Sequence, residues 1–243
     1  MLTSIETKTR SIIKAISWRF LATLTTSAIV YAFFGRLDLA AAIGVIESSS
    51  KIFLYFLHER LWLRIKWGKK EVTPFVLWFT GLPLSGKTTI ADMVYKELKQ
   101  IGIKVERLDS KQVRQLFPKA GYTREDRIRH LGRVAFLASM LEKNGISVVA
   151  SFITPYKEAR DFARKLCKNY VEIYVKASIE TCMKRDYKGI YEKALKGEIP
   201  NFTGISDPYE EPENPDITID TEKLTPEEAK NIVVGYVKKR FLR

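Results

Sequence analysis

The sequence predicts an α/β domain, in which helices cover both faces of a parallel β-sheet, preceded by an N-terminal helical hairpin. Two observations predict the α/β domain. From residue 75 onward, short apolar runs alternate five times with segments of helical periodicity, and the first run ends in a glycine-rich loop. The hairpin is predicted by two long apolar stretches within the first 70 residues. We therefore expect two domains, residues 1–70 and residues 71–243.

The composition of the 243 residues excludes several classes of protein. With 46% hydrophobic and 28% charged residues, the chain is too apolar to be disordered and too charged to be a polytopic membrane protein. Its two cysteines, Cys167 and Cys182, lack zinc-ligand spacing, which argues against a structural metal or a disulfide scaffold. The net charge of +13 suits anionic small molecules or a membrane surface, and because no groove-reading motif accompanies it, we expect no nucleic-acid partner.

The two N-terminal stretches predict a transmembrane helical hairpin. The first, residues 12–34, is long enough to span a bilayer. The second, residues 37–57, is marginal because Glu47 and Lys51 would lie at depth, although their spacing of four lets one helix face pair them. The link between the stretches, residues 35–38, is short. An amphipathic hairpin in water is the alternative interpretation.

Basic residues flank this hairpin on both sides. They are Lys8, Arg10, Lys14, Arg60, Arg64, Lys66, Lys69 and Lys70. The positive-inside rule places both ends in the cytoplasm. A cleavable signal peptide is a poor interpretation, since the first apolar run is too long and a second run follows. We expect the chain at the inner (cytoplasmic) membrane, with residues 71–243 facing the cytoplasm.

The elements of the second domain follow in order along the chain. The first strand, residues 75–80, is an apolar run typical of a buried parallel strand. Further strands are predicted at residues 104–108, 146–153, 171–175 and 217–219. Helices are predicted at residues 87–100, 123–143, 155–168 and 179–186 and from Pro226 onward, the second with Thr123 and Asp126 as a capping box. Residues 189–214 are polar and punctuated by glycine and proline, so we expect a mobile loop region there.

The glycine-rich loop fits the phosphate-binding pattern GxxxxGK(S/T) between a strand and a helix. It comprises Gly81, Leu82, Pro83, Leu84, Ser85, Gly86, Lys87 and Thr88, and Thr89 follows it. Backbone N–H groups of such a loop point at phosphate oxygens, Lys87 would reach the β- and γ-phosphates, and Thr88 would ligate Mg²⁺. A plain glycine turn is the alternative. The sequence therefore predicts a P-loop NTPase-type fold that binds a nucleotide and Mg²⁺.

A second Mg²⁺ ligand, this one a carboxylate, is predicted at Asp109, directly after the second strand. Ligands of open α/β sheets bind at the carboxyl edge of the strands, where an acid can hold Mg²⁺ directly or through water. The alternatives are a solvated strand end or an N-cap for a following helix.

The N-terminal part resembles a small family of predicted membrane domains of unknown function, over about residues 10–67. The residues that carry the resemblance are 14–19 (KAISWR), 23–26 (TLTT), Glu47, Lys51 and 58–60 (HER). The resemblance implies a membrane anchor and no known chemistry.

Residues 75–243 resemble the adenylyl-sulfate kinase family. The matching stretches are 79–82 (FTGL), 85–89 (SGKTT), 108–109 (LD), 113–114 (VR), 121–127 (GYTREDR), 152–156 (FITPY), 180–186 (ETCMKRD), 188–194 (KGIYEKA), 197–205 (GEIPNFTGI), 207–210 (DPYE) and 212–215 (PENP). The resemblance implies that ATP phosphorylates the 3′-hydroxyl of adenosine 5′-phosphosulfate, a step of sulfate assimilation. A homodimer is compatible with it.

The resemblance also implies roles for individual residues. Lys87, Asp109 and Thr154 would belong to the catalytic centre, and Arg185 would bind the nucleotide. The implied substrate-binding residues are Arg114, Tyr122, Arg127, His130, Arg133, Ile153, Lys188 and Phe202. Among these, the three arginines would clamp the anionic groups, and Phe202 would stack on the substrate adenine with Tyr122 as the second aromatic face.

Several positions depart from the family pattern. Where the family reads Asp-Gly-Asp-Asn, residues 109–112 read Asp-Ser-Lys-Gln, so Lys111 replaces the second acid. His130 replaces an asparagine, Gly132 replaces an arginine, and Thr154 replaces a serine but keeps the hydroxyl. Three hypotheses follow: a membrane-tethered adenylyl-sulfate kinase, a kinase of the same fold with another acceptor, and a non-catalytic nucleotide-binding protein.

Overall fold

The computed structural model describes residues 3–6, 8–32, 40–65, 69–117 and 121–242. By its internal contacts the chain divides into two compact units, one formed by residues 4–70 and the other by residues 71–243 together with residues 1–3.

The N-terminal unit contains two long helices. Its helices are α1 (Lys8–Ala32) and α2 (Ala40–Arg64). The strands on either side of them, β1 (Thr3–Glu6) and β2 (Lys69–Val72), form a two-stranded sheet. Arg10 is buried, and its guanidinium donates to the backbone carbonyls of Trp62 and Ile65, which satisfies groups that the C-terminus of α2 leaves unpaired. The side chain of Glu47, which is predicted to pair with Lys51, lies outside the described residues. The predicted short link at residues 35–38 lies outside them as well.

The surfaces of α1 and α2 are rich in apolar groups. Large exposed side chains are Ile12, Ile16, Phe20, Phe53, Phe56, Leu57, Leu61 and Leu63. Nevertheless, no helix among the described residues is both long and apolar enough to cross a membrane. The transmembrane character of the hairpin therefore stays a prediction.

The second unit is built on a five-stranded parallel sheet with helices around it. Its elements are β3 (Val76–Thr80), α3 (Lys87–Gln100), β4 (Val105–Asp109), α4 (Ser110–Leu116), α5 (Arg124–Lys143), β5 (Ser147–Ser151), α6 (Lys157–Leu166), β6 (Tyr170–Lys176), α7 (Ile179–Lys184), α8 (Ile190–Leu195), β7 (Ile217–Asp220) and α9 (Pro226–Phe241). The strand order is β4-β5-β3-β6-β7, and every pairing is parallel. The predicted α/β class and all five predicted strands are confirmed.

Local sequence signals account for most of these elements. All five residues of β3 are buried, as expected for a central strand covered on both faces. Thr123 accepts a hydrogen bond from the backbone N–H of Asp126 and so caps α5 as predicted. Thr225 and Glu228 form a full capping box at the start of α9, and Pro226 is its first helical residue.

Three predictions of local structure are wrong. Two short helices, α4 and α8, were not predicted, and α8 lies inside the segment expected to be a loop. Asp109 is the N-cap of α4, whereas α8 begins after Gly189, and the carboxylate of Asp186 accepts from the backbone N–H of Tyr191 in its first turn. The helix expected from Pro155 begins instead at Lys157, since Thr154 has φ of +46° and the chain turns there.

Candidate functional site

The glycine-rich loop connects the central strand β3 to the N-terminus of α3. Gly81 has φ of +148°, and a Cβ atom there would lie 2.4 Å from the carbonyl oxygen of Val175. Gly86, with φ of +98°, is the N-cap of α3. Both positions require glycine, because an L side chain is strained at these φ values and a Cβ at Gly81 would overlap β6. The loop therefore presents backbone N–H groups and a helix N-terminus to one cavity, which is the arrangement that binds phosphate.

We expect Gly81→Ala to destabilise the second unit by about 2–4 kcal/mol, because the added Cβ meets backbone at a strained φ. The matched control is Gly235→Ala in α9, where no atom lies within 4 Å of the added Cβ and alanine is the better helix former. Thermal unfolding followed by circular dichroism should show a lower Tm for the first variant and an unchanged or higher Tm for the second. An unchanged Tm for Gly81→Ala would contradict the close approach of the loop to β6.

Lys87 is the first residue of α3, and its side chain is only 7% exposed. Its ammonium group donates to the carbonyl of Leu82 and to Oγ of Ser85, so it is held inside the loop. Burial lowers the pKa of Lys87 to about 7. Phosphate oxygens beside the ammonium would favour its charged form, because an opposite charge offsets the loss of solvation.

A cavity of about 750 Å³ opens in front of this loop. Lys87, Thr88, Asp109 and Lys111 line it on one side, and Arg185 also contributes to its wall. The volume lies within the range of small-molecule sites. Arg185 donates to Oγ1 and the carbonyl of Thr221, at 2.9 and 2.8 Å, so its guanidinium is fixed at the cavity wall.

The donors in this cavity fit Mg²⁺ bound together with phosphates. Thr88 contributes an exposed hydroxyl, and Asp109 contributes a carboxylate. Mg²⁺ in nucleotide enzymes is held by one or two protein oxygens, with phosphates and waters completing its octahedron. Among the described residues, no cluster of three or more His, Cys, Asp or Glu side chains could hold a metal by itself.

Asp109 also has the capping role that was its alternative interpretation. One carboxylate oxygen accepts from the backbone N–H of Lys111 at 2.8 Å, and the other lies 4.0 Å from the guanidinium of Arg107. Lys111, which replaces the second acid of the family pattern, lies in the first turn of α4. The two side chains nevertheless line the same cavity, because the strand leads directly into the helix.

Two of the predicted anion-binding arginines lie close to Tyr122. The guanidinium carbon of Arg114 is 4.2 Å from the centre of the Tyr122 ring, and that of Arg127 is 5.6 Å from it. Arg127 is buried and donates to the carbonyls of Tyr122 and Asn201, and it lies 3.9 Å from the carboxylate of Asp207. Burial lowers the pKa of Arg127, and the nearby Asp207 opposes that shift. Arg127 thus joins α5 to the segment that contains Asn201.

The third arginine and His130 surround Phe117. Arg133 lies 5.0 Å from the Phe117 ring, and the His130 ring meets the rings of Phe117 and Phe152 edge-on. His130 is buried, and within the described part of the chain neither ring nitrogen has a hydrogen-bond partner. Burial, followed by the charges of Arg114 and Arg133, lowers the pKa of His130 to about 4, so the ring is neutral at pH 7.

The segment that follows α7 packs over the phosphate loop. Phe202 lies edge-on to Tyr191, with ring centres 4.9 Å apart, and both pack with Leu82 and Leu84 of the loop. Tyr191 also donates its hydroxyl to the carbonyl of Pro83 at 2.9 Å. Stacking of Phe202 on a substrate base remains a prediction, since the contact seen here is with Tyr191.

Thr154 and Ile153 bind the other flank of the loop. Oγ1 of Thr154 is buried and accepts from the indole N–H of Trp78 at 2.9 Å. The carbonyl of Ile153 accepts from the backbone N–H of Gly81 and from the hydroxyl of Thr80. Ile153 therefore holds Gly81, the first residue of the loop, while Thr154 contacts β3.

Sequence reasoning missed Tyr156 and Asp207. The hydroxyl of Tyr156 donates to both carboxylate oxygens of Asp207, at 2.8 and 2.7 Å. Burial, followed by this hydrogen bond, raises the pKa of Tyr156 to about 12. Both residues lie in stretches that resemble the family, but no local pattern indicates that they meet, because they are 51 residues apart.

The parallel sheet, the glycine-rich loop after its central strand, and the buried lysine define a nucleotide-binding protein of the P-loop class. Residues 73–220 match the family model described as adenylylsulphate kinase, and residues 12–63 match the model described as predicted membrane protein (DUF2061). The chain belongs to the adenylylsulphate kinase family and is a phosphotransferase of that kind.

Individual relatives agree with this assignment. A probable adenylyl-sulfate kinase of Pseudomonas aeruginosa is 50% identical over 161 residues, which are 66% of this chain and 75% of the relative. A probable adenylyl-sulfate kinase of Aeropyrum pernix is 49% identical over 168 residues, covering 67% of this chain and 92% of the relative. The APS kinase of Mycobacterium tuberculosis, solved in complex with AMPPNP and APS, superposes with a TM-score of 0.63 at 34% identity, over 67% of this chain and 96% of that structure.

Proposed function

We propose that the chain transfers the γ-phosphoryl group of ATP to the 3′-hydroxyl of adenosine 5′-phosphosulfate, as a step of sulfate assimilation. The observation that carries the proposal is the phosphate loop with its buried Lys87, in a chain about half identical to adenylyl-sulfate kinases over its second unit. Arg114 and Arg133, whose charges both act on His130, support an acceptor that carries anionic groups.

On the donor side, the loop and the wall of the cavity hold ATP. The free backbone N–H groups at the N-terminus of α3 bind the phosphates, and Lys87 neutralises charge on the β- and γ-phosphates. Mg²⁺, held by Thr88 and Asp109, would supply further positive charge at the transferring group. Arg185, fixed by Thr221, binds the nucleotide at the cavity wall.

On the acceptor side, the arginines and aromatic residues orient the nucleotide sulfate. Arg114 and Arg133 bind its anionic groups, while Tyr122 and Phe202 provide faces for its adenine. Thr154 acts as a positioning residue, because its hydroxyl is already bonded to Trp78. Lys188 lies in the segment that closes over the phosphates and excludes water.

The chemical step is a direct in-line displacement. The 3′-hydroxyl oxygen forms a bond to the γ-phosphorus while the bond from that phosphorus to the β,γ-bridging oxygen breaks, and ADP leaves with the bonding electrons. The hydroxyl proton is released to solvent or to a nearby base as the new bond forms. Positioning and electrostatic stabilisation account for most of the catalysis in such transfers.

The direct test uses the full chain with γ-labelled ATP and adenosine 5′-phosphosulfate. We expect label in 3′-phosphoadenosine 5′-phosphosulfate. The matched control is the 3′-deoxy acceptor, which keeps every charge but lacks the accepting hydroxyl, and it should stay unlabelled. Binding of ATP without any labelled acceptor product would contradict the proposal.

A second candidate is a kinase of the same fold with another acceptor. The observation that favours it is His130, a buried ring with two unpaired nitrogens among the described residues, at a position where the family carries asparagine. The same labelling assay with other nucleotide acceptors distinguishes the two candidates, since each predicts a different labelled product.

We further propose that residues 1–70 attach the kinase to the inner membrane, with the catalytic unit facing the cytoplasm. The match of residues 12–63 to a family of predicted membrane proteins supports this, and so do the exposed apolar side chains of α1 and α2. Basic residues at both ends of the hairpin favour the anionic cytoplasmic leaflet.

Full-length protein should sediment with membranes after cell lysis and resist extraction by high salt, because apolar contacts are not screened by ions. A chain that begins at Glu71 should remain in the supernatant and still bind ATP. Immunoblotting of the two fractions measures this. Full-length protein in the supernatant without detergent would contradict the anchor.

A further inference from the structure

Tyr187 is an aromatic residue that the proposed catalytic machinery does not use. Its side chain is 81% exposed, the largest exposure among the large hydrophobic residues described. A single exposed aromatic side chain is ordinary on a protein surface, so what distinguishes Tyr187 is the cavity that it lines. It lies on the wall of the 750 Å³ cavity that also contains Lys87 and Thr88.

The backbone around Tyr187 is held in a defined turn. The carboxylate of Asp186 accepts from the backbone N–H groups of Lys188 and Tyr191, at 3.2 and 2.7 Å. Gly189 follows with φ of +65°, in the left-handed region that favours glycine. These contacts hold the backbone that directly follows Tyr187.

A second planar group lies on the same cavity wall. The guanidinium of Arg185 is fixed by its two hydrogen bonds to Thr221, and Thr221 in turn donates to the carbonyl of Ser85 in the phosphate loop. The Tyr187 ring is itself in contact with a cation, since Nζ of Lys188 lies 5.3 Å from its centre. The cavity thus has cations around its phosphate loop and an exposed aromatic ring on its wall.

We propose that Tyr187 is a nucleobase-stacking residue, which covers the base of the donor nucleotide while the loop holds its phosphates. A nucleotide needs both kinds of contact, cationic for the phosphates and planar for the base, and this cavity offers both. Aromatic rings stack on any base, so the contact contributes affinity more than base selectivity. The inference rests on the proposed function only in that a nucleotide occupies this cavity.

The test compares two ligands of the full-length chain, ATP and inorganic tripolyphosphate, each with Mg²⁺. Tripolyphosphate has the three linked phosphates of ATP but neither its ribose nor its base. We expect Tyr187→Ala to raise the Kd of ATP about tenfold and to leave the Kd of tripolyphosphate unchanged, because only the stacking contact is lost. Tyr187→Phe keeps the ring and should bind both ligands as the wild type does. Lys188→Ala is the contrasting variant, because it removes a cation near the phosphates, and it should raise the Kd of both ligands.

Three results would overturn the inference: an unchanged Kd of ATP in Tyr187→Ala, an equal loss for both ligands, or the same loss in Tyr187→Phe. Tripolyphosphate binding also reports that the loop of the variant is intact. A different result would contradict the proposed function. If the wild type binds ATP but never labels adenosine 5′-phosphosulfate, that function is wrong while the stacking contact can still be measured.

Discussion

Lys87→Ala is expected to reduce phosphoryl transfer to adenosine 5′-phosphosulfate by a factor of about 10²–10³, with little loss of folding stability. The ammonium group is buried in the phosphate loop, where it neutralises charge that builds on the transferring phosphoryl oxygens. The fold should survive, because burying an ammonium group is itself costly, as its lowered pKa of about 7 indicates.

The measurement is the initial rate at saturating ATP and acceptor, with circular dichroism as the check of folding. Lys96→Ala is the matched control, since it removes an exposed lysine from the same helix and should leave the rate unchanged. Activity of Lys87→Ala within threefold of the wild type would contradict the assignment of the phosphate loop.

Lys111→Asp is expected to raise the rate and to lower the Mg²⁺ concentration needed for half-maximal activity, by about tenfold or more on Coulombic grounds. Asp109 and Lys111 line the same cavity, so a cation lies where the resemblance implies a second acid. Mg²⁺ requires oxygen ligands and negative charge, and the substitution changes the local charge by two units. It should not destabilise α4, because an acid in the first turn of a helix interacts favourably with its dipole.

Titration of the rate with Mg²⁺ measures this effect, and Lys111→Ala provides a graded control with half the charge change. The wild type should be a working but slow kinase. If it shows no turnover at any Mg²⁺ concentration and Lys111→Asp restores activity, the protein is a non-catalytic nucleotide-binding protein in its natural form. If Lys111→Asp destroys a robust activity, Lys111 has a catalytic role of its own and the charge argument is wrong.

Much of the second unit could be predicted because its signals are local. The five strands are short apolar runs, the phosphate loop is a contiguous pattern, and Thr123 caps α5 within one turn of its partner. The metal-binding role of Asp109 was less certain, because a carboxylate after a strand can also cap a helix. The structure shows the capping contact, which the sequence could offer only as an alternative.

The helices α4 and α8 were missed for a physical reason. Helices of six or seven residues are not stable by their own propensity, since nucleation is unfavourable and few hydrogen bonds follow it. Tertiary contacts stabilise them, such as the hydrogen bond and the packing of Tyr191 against the phosphate loop. Periodicity over so few residues carries little information.

The sequence by itself determined the fold class, the position of the phosphate loop and the residue types around it, because these depend on contiguous patterns of side chains and on backbone constraints at glycine. Only the tertiary structure decided which distant residues meet. Arg127 reaches the carbonyl of Asn201 across 74 positions, and Tyr156 reaches Asp207 across 51. The order of the strands, with β5 between β3 and β4, brings the loops after these strands to one edge of the sheet. Such contacts depend on burial and on chain topology, which no single stretch of sequence contains.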